Sequence, residues 1–509
     1  MAADRNVHTL RRFTFGATSE LLTEVRSKGI DVWFAEQLNP AAIDDAECDA
    51  VLQSHQSFAW GQLRSVAEVE SVREILSIPG APPDSMFQFA KRNVNYVKRM
   101  LSRRQVFETM VEFWSEHFNI MDTAGKGNGL LNAYGLDWEI AVIREQALTN
   151  FGSLLRAAVY HPAMILWLDG EYSRKSSPNE NFARELLELY TVTPTGGYTQ
   201  TDIENAARLF SGLRGPAQRP PVVMRETMPG MFRVSTQTFI DVRQQNFGTF
   251  RVMGWSGTAN SPQEVVQTID SLLGYLAAHP STARNVATKL ARRYVADFPS
   301  ETLTTELARR FSMTGGDTKE MLRGLVAHPE FLGSVGRKVK RPAEDLISLA
   351  RVLRLRPDPS RFTALGRVGS LALTNWGFDG LLSRLGHQHA KWPLPDGYPD
   401  TEDYWNDSAS HVARWYAHQV LTSASAATVA GMTVPQWQDV LPPGTALGLV
   451  EITDALIDRL FQAPLSPESR SAVIAAAART RSVVTEATRE ATCMLVAFLL
   501  TTTPEWVQR

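Results

Sequence analysis

Apolar residues recur at three- and four-residue intervals through most of the chain, the spacing that gathers them on one face of an α-helix. Several of these runs begin with a hydroxyl or carboxylate residue and carry an acidic one three positions later: Ser177 with Glu180, Thr201 with Glu204, Ser261 with Glu264, and Asp317 with Glu320. That pairing predicts a capping box, in which each side chain satisfies a backbone N–H the helix leaves open. Pro178 and Pro262 stand where the first helical residue needs no N–H. The pattern predicts a mainly α protein with a multi-helix, bundle-like architecture.

The helical period fails in two places. At about 215–257, prolines, glycines and short alternating runs such as Phe232-Arg233-Val234 and Phe250-Arg251-Val252 predict a small β-containing insertion. At about 387–407, the prolines of Trp392-Pro393-Leu394-Pro395-Asp396-Gly397-Tyr398-Pro399 forbid regular helix. Its Trp and Tyr rings need something to pack against, so this Pro/aromatic-rich segment is expected to be an ordered loop. One helical unit over 1–509 is expected, divisible into an N-terminal part (1–214), the β insertion (215–260) and a C-terminal part (261–509).

Composition narrows the function classes. The 52 Lys and Arg nearly cancel the 54 Asp and Glu, so no overall field draws nucleic acid or an anionic membrane. Cys48 and Cys493 lie too far apart and too isolated for a disulfide framework or a thiolate zinc site. Met1 to Asn6 lack an apolar signal region, and the most apolar stretch near the end, Met494 to Leu500, is too short to span a bilayer. The expectation is a cytoplasmic protein with a small-molecule or peptide substrate, a protein partner as an alternative, and neither nucleic acid nor membrane.

Three segments carry candidate chemistry. In His161-Pro162, His279-Pro280 and His328-Pro329, an apolar pair lies six and seven residues before the histidine. The simplest reading is a helix stop with the imidazolium at the negative end of the helix dipole, and a ligand role is the other. Winding Val106 to Ile120 as a helix sends His117 inward with Val106, Met110, Phe113 and Trp114, while Glu108, Glu112, Glu116 and Asn119 fall on the opposite side. From Asp169 to Glu188, the stripe Phe182, Leu186, Leu189 and Tyr190 leaves Asn181, Arg184, Glu185 and Glu188 together on another face, with Asp169 and Arg174 just before the helix. Clustered carboxylates beside arginine could hold a cation or supply an acid and a base; equally, Glu180 could complete a cap and Arg184 form an i,i+4 pair with Glu188. His387 and His389 could share a metal if extended, and His411 and His418 lie two turns apart. Lys338-Val339-Lys340-Arg341 reads as a solvated basic face. No P-loop, dinucleotide fingerprint, HExxH or GxSxG motif stands at a plausible position.

The stretches His8 to Gly16 (HTLRRFTFG), Asp31 to Pro40 (DVWFAEQLNP), Phe113 to Asn119 (FWSEHFN), Pro178 to Glu188 (PNENFARELLE), Trp392 to Pro399 (WPLPDGYP) and Thr503 to Arg509 (TPEWVQR) resemble the bacterial family known as domain of unknown function number 1800. The resemblance implies no activity, because that family is uncharacterised; its members are often exported and often encoded beside a second uncharacterised family similar to sulfatases. The chain departs from the family pattern with Gln146 where a histidine is expected, and with Gln245-Asn246 where His-Asp is expected.

The expectation drawn from these readings is an enzyme acting on a small molecule or modified peptide. Glu185 and Glu188 would be its base or oxygen ligands, His117 its proton shuttle or nitrogen ligand, and Arg174 or Arg184 an anion anchor beside Asn181 and Asp169. A divalent metal is a candidate cofactor, with His117, Glu185 and Glu188 as ligands and His387 and His389 as conceivable replacements. The alternative is a non-catalytic binding or maturation partner that has lost histidines. A third reading, carbohydrate binding by the Trp392 to Trp405 loop, requires rings exposed in a groove.

Overall fold

The computed structural model describes residues 4–54, 85–122, 130–215, 230–235, 237–361, 363–368, 371–441, 448–481 and 483–509. Helices begin where a short polar side chain reaches an open N–H. Ser261 caps the helix Pro262–Ala278 by accepting from Glu264 N, and Asp317 caps Thr318–Ala327 by accepting from Glu320 N. The other two predicted starts move by two residues. Asn179, not Ser177, caps Glu180–Glu185, and Thr199, not Thr201, forms the capping box with Asp202. Glu180 is thereby the first helical residue and completes no cap.

The His-Pro units turn one helix directly into the next. His161, His279 and His328 each have extended backbone, as a residue before proline prefers. The Nδ1 of each accepts from the N–H two residues on: Ala163 at 3.1 Å, Ser281 at 3.2 Å and Glu330 at 3.2 Å. Each histidine thus ends the preceding helix, as expected, while its Nδ1 caps the following one. The side chain serves the second helix and not, as expected, the dipole of the first.

The irregular middle contains the expected strands, although 216–229 and 236 lie outside the described residues. Strands β1 (Leu213–Arg214), β2 (Met231–Arg233) and β3 (Phe239–Asp241) form an antiparallel sheet in the order β1-β3-β2. Strands β4 (Gly248–Val252) and β5 (Trp255–Ala259) form a hairpin in which Phe250 and Val252 are buried while Thr249 and Arg251 are exposed. That alternation seats the hairpin on the helices Gln200–Leu209 and Pro262–Ala278. A further hairpin, β6 (Thr363–Val368) with β7 (Leu371–Asn375), was not announced by the periodicity. No described helix is long and apolar enough to cross a membrane.

Apolar side chains gather into two cores. One runs from Val7 to Phe331; the other holds Ala343 to Trp506 together with Phe15, Cys48, Leu52 and part of the helix Ser85–Leu101. Buried ion pairs join them. Glu112, 1% exposed, meets Arg99 at 3.0 Å, Arg341 at 2.6 Å and Arg293. Glu344 in turn meets Arg293 and Arg509. Burial pushes the Glu112 carboxyl up, but Arg341, Arg293 and Arg99 outweigh it and hold the pKa down to about 2. The basic run expected on a solvated face belongs to this network: Lys338 and Arg341 are buried, with Lys338 paired to Asp297 and Asp400. Apart from Glu344, three residues after Arg341, its carboxylate partners Glu112, Asp297 and Asp400 come from distant segments, which is why local sequence could not reveal them.

Candidate active site

The helix Gln105–His117 and the residues after it hold three separate segments in place. Trp114 Nε1 donates to the Ala147 carbonyl at 3.0 Å, and His117 Nε2 to the Tyr190 carbonyl at 3.2 Å. Asn119 Nδ2 donates to the carbonyls of Trp392 and Leu394, and Glu116 Oε2 accepts from Tyr398 N at 2.8 Å. The two helix sides separated in the sequence are real, but the side carrying Glu108, Glu112 and Asn119 is buried too. It faces arginines and the proline-rich loop. Gly397 shows how close that loop lies: its φ is +79°, and a Cβ there would stand 2.2 Å from the Glu116 carbonyl oxygen.

Behind the loop is a cavity of about 350 Å³ whose walls include Glu116, His117, Lys289, Arg292, Asp396 and Tyr398. This is the small end of the size range of ligand pockets. Lys289 and Arg292 come from the helix Pro280–Tyr294. Burial pushes the Glu116 carboxyl up to about 7, with the Arg341 charge opposing. Burial likewise brings the Lys289 ammonium down to about 8, with Asp396 opposing. Lys289 Nζ lies 3.1 Å from His117 Nδ1 and donates to the Leu189 carbonyl at 3.3 Å. Because His117 Nε2 faces a carbonyl, which only accepts, the ring proton sits there and Nδ1 accepts from Lys289. Burial and the Lys289 charge both hold the His117 pKa well below the usual histidine range, in agreement with a neutral ring.

The motif helix reaches this cavity through its backbone. Glu180–Glu185 continues into a π-helical turn, Leu186–Tyr190, and the carbonyls that follow are satisfied by side chains instead of by the next turn. Leu189 and Tyr190 are held by Lys289 and His117, and Thr191 by Asn285 Nδ2 at 2.9 Å.

Of the candidate site residues drawn from the sequence, His117 lines the cavity, whereas Asp169, Arg174, Asn181, Arg184, Glu185 and Glu188 do not. The Glu185 carboxyl is raised by burial and by the charges of Glu188 and Asp396. Glu188 accepts from the Tyr198 hydroxyl at 3.1 Å. Among the described residues the buried Tyr190 hydroxyl has no hydrogen-bond partner, and burial, followed by the charges of Glu185 and Asp396, raises its pKa.

The remaining motif residues are engaged locally. Asn179 Nδ2 donates to the carbonyls of Leu168 and Asp169, and Asn181 Nδ2 to that of Leu168. Asp169 itself turns the chain with φ 59°. Arg174 is exposed in a bridge with Ser177. Arg184 contacts Glu180 at 3.5 Å and Gln200 at 2.9 Å, so its i,i+4 partner is Glu180 and not Glu188.

His387 and His389 do not share a ligand position. His387 Nδ1 accepts from Ala343 N, while His389 lies between Arg99 and Glu139, at 3.1 and 3.2 Å. Among the described residues, no group of three or more His, Cys, Asp or Glu side chains is arranged to hold a metal ion. The loop rings pack on one another, with Tyr398 and Trp405 buried and Tyr404 exposed. Gln146 accepts from Thr149, Gln245 donates to Leu209, and Asn246 donates to Lys175, none of them on the cavity wall.

Sequence reasoning missed Glu116, Lys289, Arg292, Asp396 and Tyr398 as site residues. Glu116, Asp396 and Tyr398 lie inside distinctive motifs and could have been found there; Lys289 and Arg292 sit in an ordinary amphipathic helix that gives no signal.

Residues 8–508 match the model of a family described as Protein of unknown function (DUF1800), and the chain belongs to that family. No curated protein and no solved structure matches it.

Proposed function

We propose that the protein is an enzyme that moves a proton on a small molecule enclosed in the cavity behind the 392–401 loop. The observation that supports this reading is that a carboxyl pushed up to about 7 and an amine brought down to about 8 line one cavity. Groups poised near neutral pH can both give and take protons there, and strongly shifted groups that share a cleft are typical of functional sites. In this reading Glu116 donates or accepts the proton and Lys289 is its counterpart. His117 is a positioning residue: with both ring nitrogens engaged, it orients Lys289 against the Leu189 carbonyl.

A metabolite pool incubated with the protein tests the proposal. Wild type should deplete at least one component, and folded Glu116→Gln and Lys289→Met variants should not. Equal depletion by all three, or an unchanged pool with all three, counts against it.

A further inference from the structure

Resting on that reading, we infer that the cavity takes a small molecule carrying an anionic group, a carboxylate or a phosphate, seated between Lys289 and Arg292. Among the described residues neither cation forms an ion pair with an acidic side chain. Lys289 uses two of its three N–H bonds, on His117 Nδ1 and Leu189 O, and Arg292 uses only Nε, on the Asp297 carbonyl at 3.1 Å. A second observation points the same way. Arg293, about 2% exposed and also on the cavity wall, keeps a buried Nε–H with no hydrogen-bond acceptor among the described residues.

Buried donors without acceptors are costly to leave so, and a carboxylate or phosphate offers acceptors alone. The carboxylates already in the network, Glu112 and Glu344, are taken up by the terminal nitrogens of Arg293 and by Arg341 and leave the Arg293 Nε–H unfilled. The open hydrogen-bonding positions of Lys289, Arg292 and Arg293 on this wall are therefore cationic and donating. Their match is an anionic head small enough for about 350 Å³.

Competitive acylation of Lys289 with acetic anhydride, read by mass spectrometry on the full chain, tests the inference. A bound anion raises the ammonium pKa by at least about one unit at contact distance, so phosphate or acetate should slow Lys289 acylation about tenfold near neutral pH. Neutral acetamide should not. An effect of acetate alone assigns a carboxylate, and an effect of phosphate alone a phosphate. Arg292→Gln, compared with its own anion-free rate and checked for folding by circular dichroism, should lose most of the effect. Absence of an effect with either anion, or an equal effect with acetamide, overturns the inference. The anion-free profile tests the underlying reading separately: Lys289 acylated with the pH dependence of a surface lysine would sink the acid–base proposal itself.

Discussion

Replacing Glu116 by Gln should make the protein more stable at alkaline pH and leave it unchanged in mild acid. The Glu116 carboxyl titrates at about 7 in the folded chain against a usual value of 4.5. A carboxyl whose folded pKa is raised binds more protons folded than unfolded between those values, so wild type loses stability as pH rises from about 4.5 to 7 and is flat above. At 1.36 kcal/mol per unit the full cost is about 3 kcal/mol, reduced to about 2 because the side chain is only half-buried. Glutamine has the shape of the neutral acid, keeps an oxygen for Tyr398 N, and does not titrate.

Urea unfolding of both proteins at pH 4 and pH 8 measures the difference. The variant should match wild type at pH 4 and exceed it by about 2 kcal/mol at pH 8. A variant less stable by the same amount at both values would mean that Glu116 is ionised and paired with Arg341, and the reasoning would fail.

Glu112→Gln should destabilise by about 3–5 kcal/mol in the same urea assay, because it leaves Arg99, Arg293 and Arg341 buried around a neutral group. The His8 pKa is lowered to about 4, chiefly by burial. The unfolded chain therefore takes its proton first, and wild type should lose stability as pH falls from about 6.5 to 4; His8→Gln should flatten part of that slope in calorimetry. His279→Ala should cost about 1 kcal/mol in thermal unfolding and His279→Asn much less, since asparagine can also accept from Ser281 N. His117→Phe should raise the acylation pKa of Lys289 if the imidazole helps to hold the amine in its buried position; an unaltered value would remove His117 from the site.

What the sequence could show depended on distance along the chain. Helix period, the β4–β5 alternation and the Ser261 and Asp317 caps are local, and the structure reproduces them. Cap choice between neighbouring candidates was not settled locally, because Asn179 also ties the helix to the Leu168 and Asp169 carbonyls. The site was half visible. His117 was placed on an inward face, and the proline-rich loop was read as ordered by its aromatic rings, but nothing local says that this loop closes over Glu116. Lys289 and Arg292 occupy an amphipathic helix like many others, and only tertiary packing gives them a shared cavity with Glu116. The polar face at Asn181, Arg184, Glu185 and Glu188 drew attention because its charges are adjacent in sequence. Arg184 is engaged by Glu180 and Gln200, while burial and the like charges of Glu188 and Asp396 raise the Glu185 carboxyl.

The acid–base proposal stands on Glu116 holding a proton near neutral pH inside this cavity. A carbon-13 NMR titration of glutamate-labelled protein, with Glu116→Gln used to assign the Glu116 carboxyl signal, measures that directly. The midpoint expected for this carboxyl is close to 7. A midpoint in the ordinary glutamate range would contradict it.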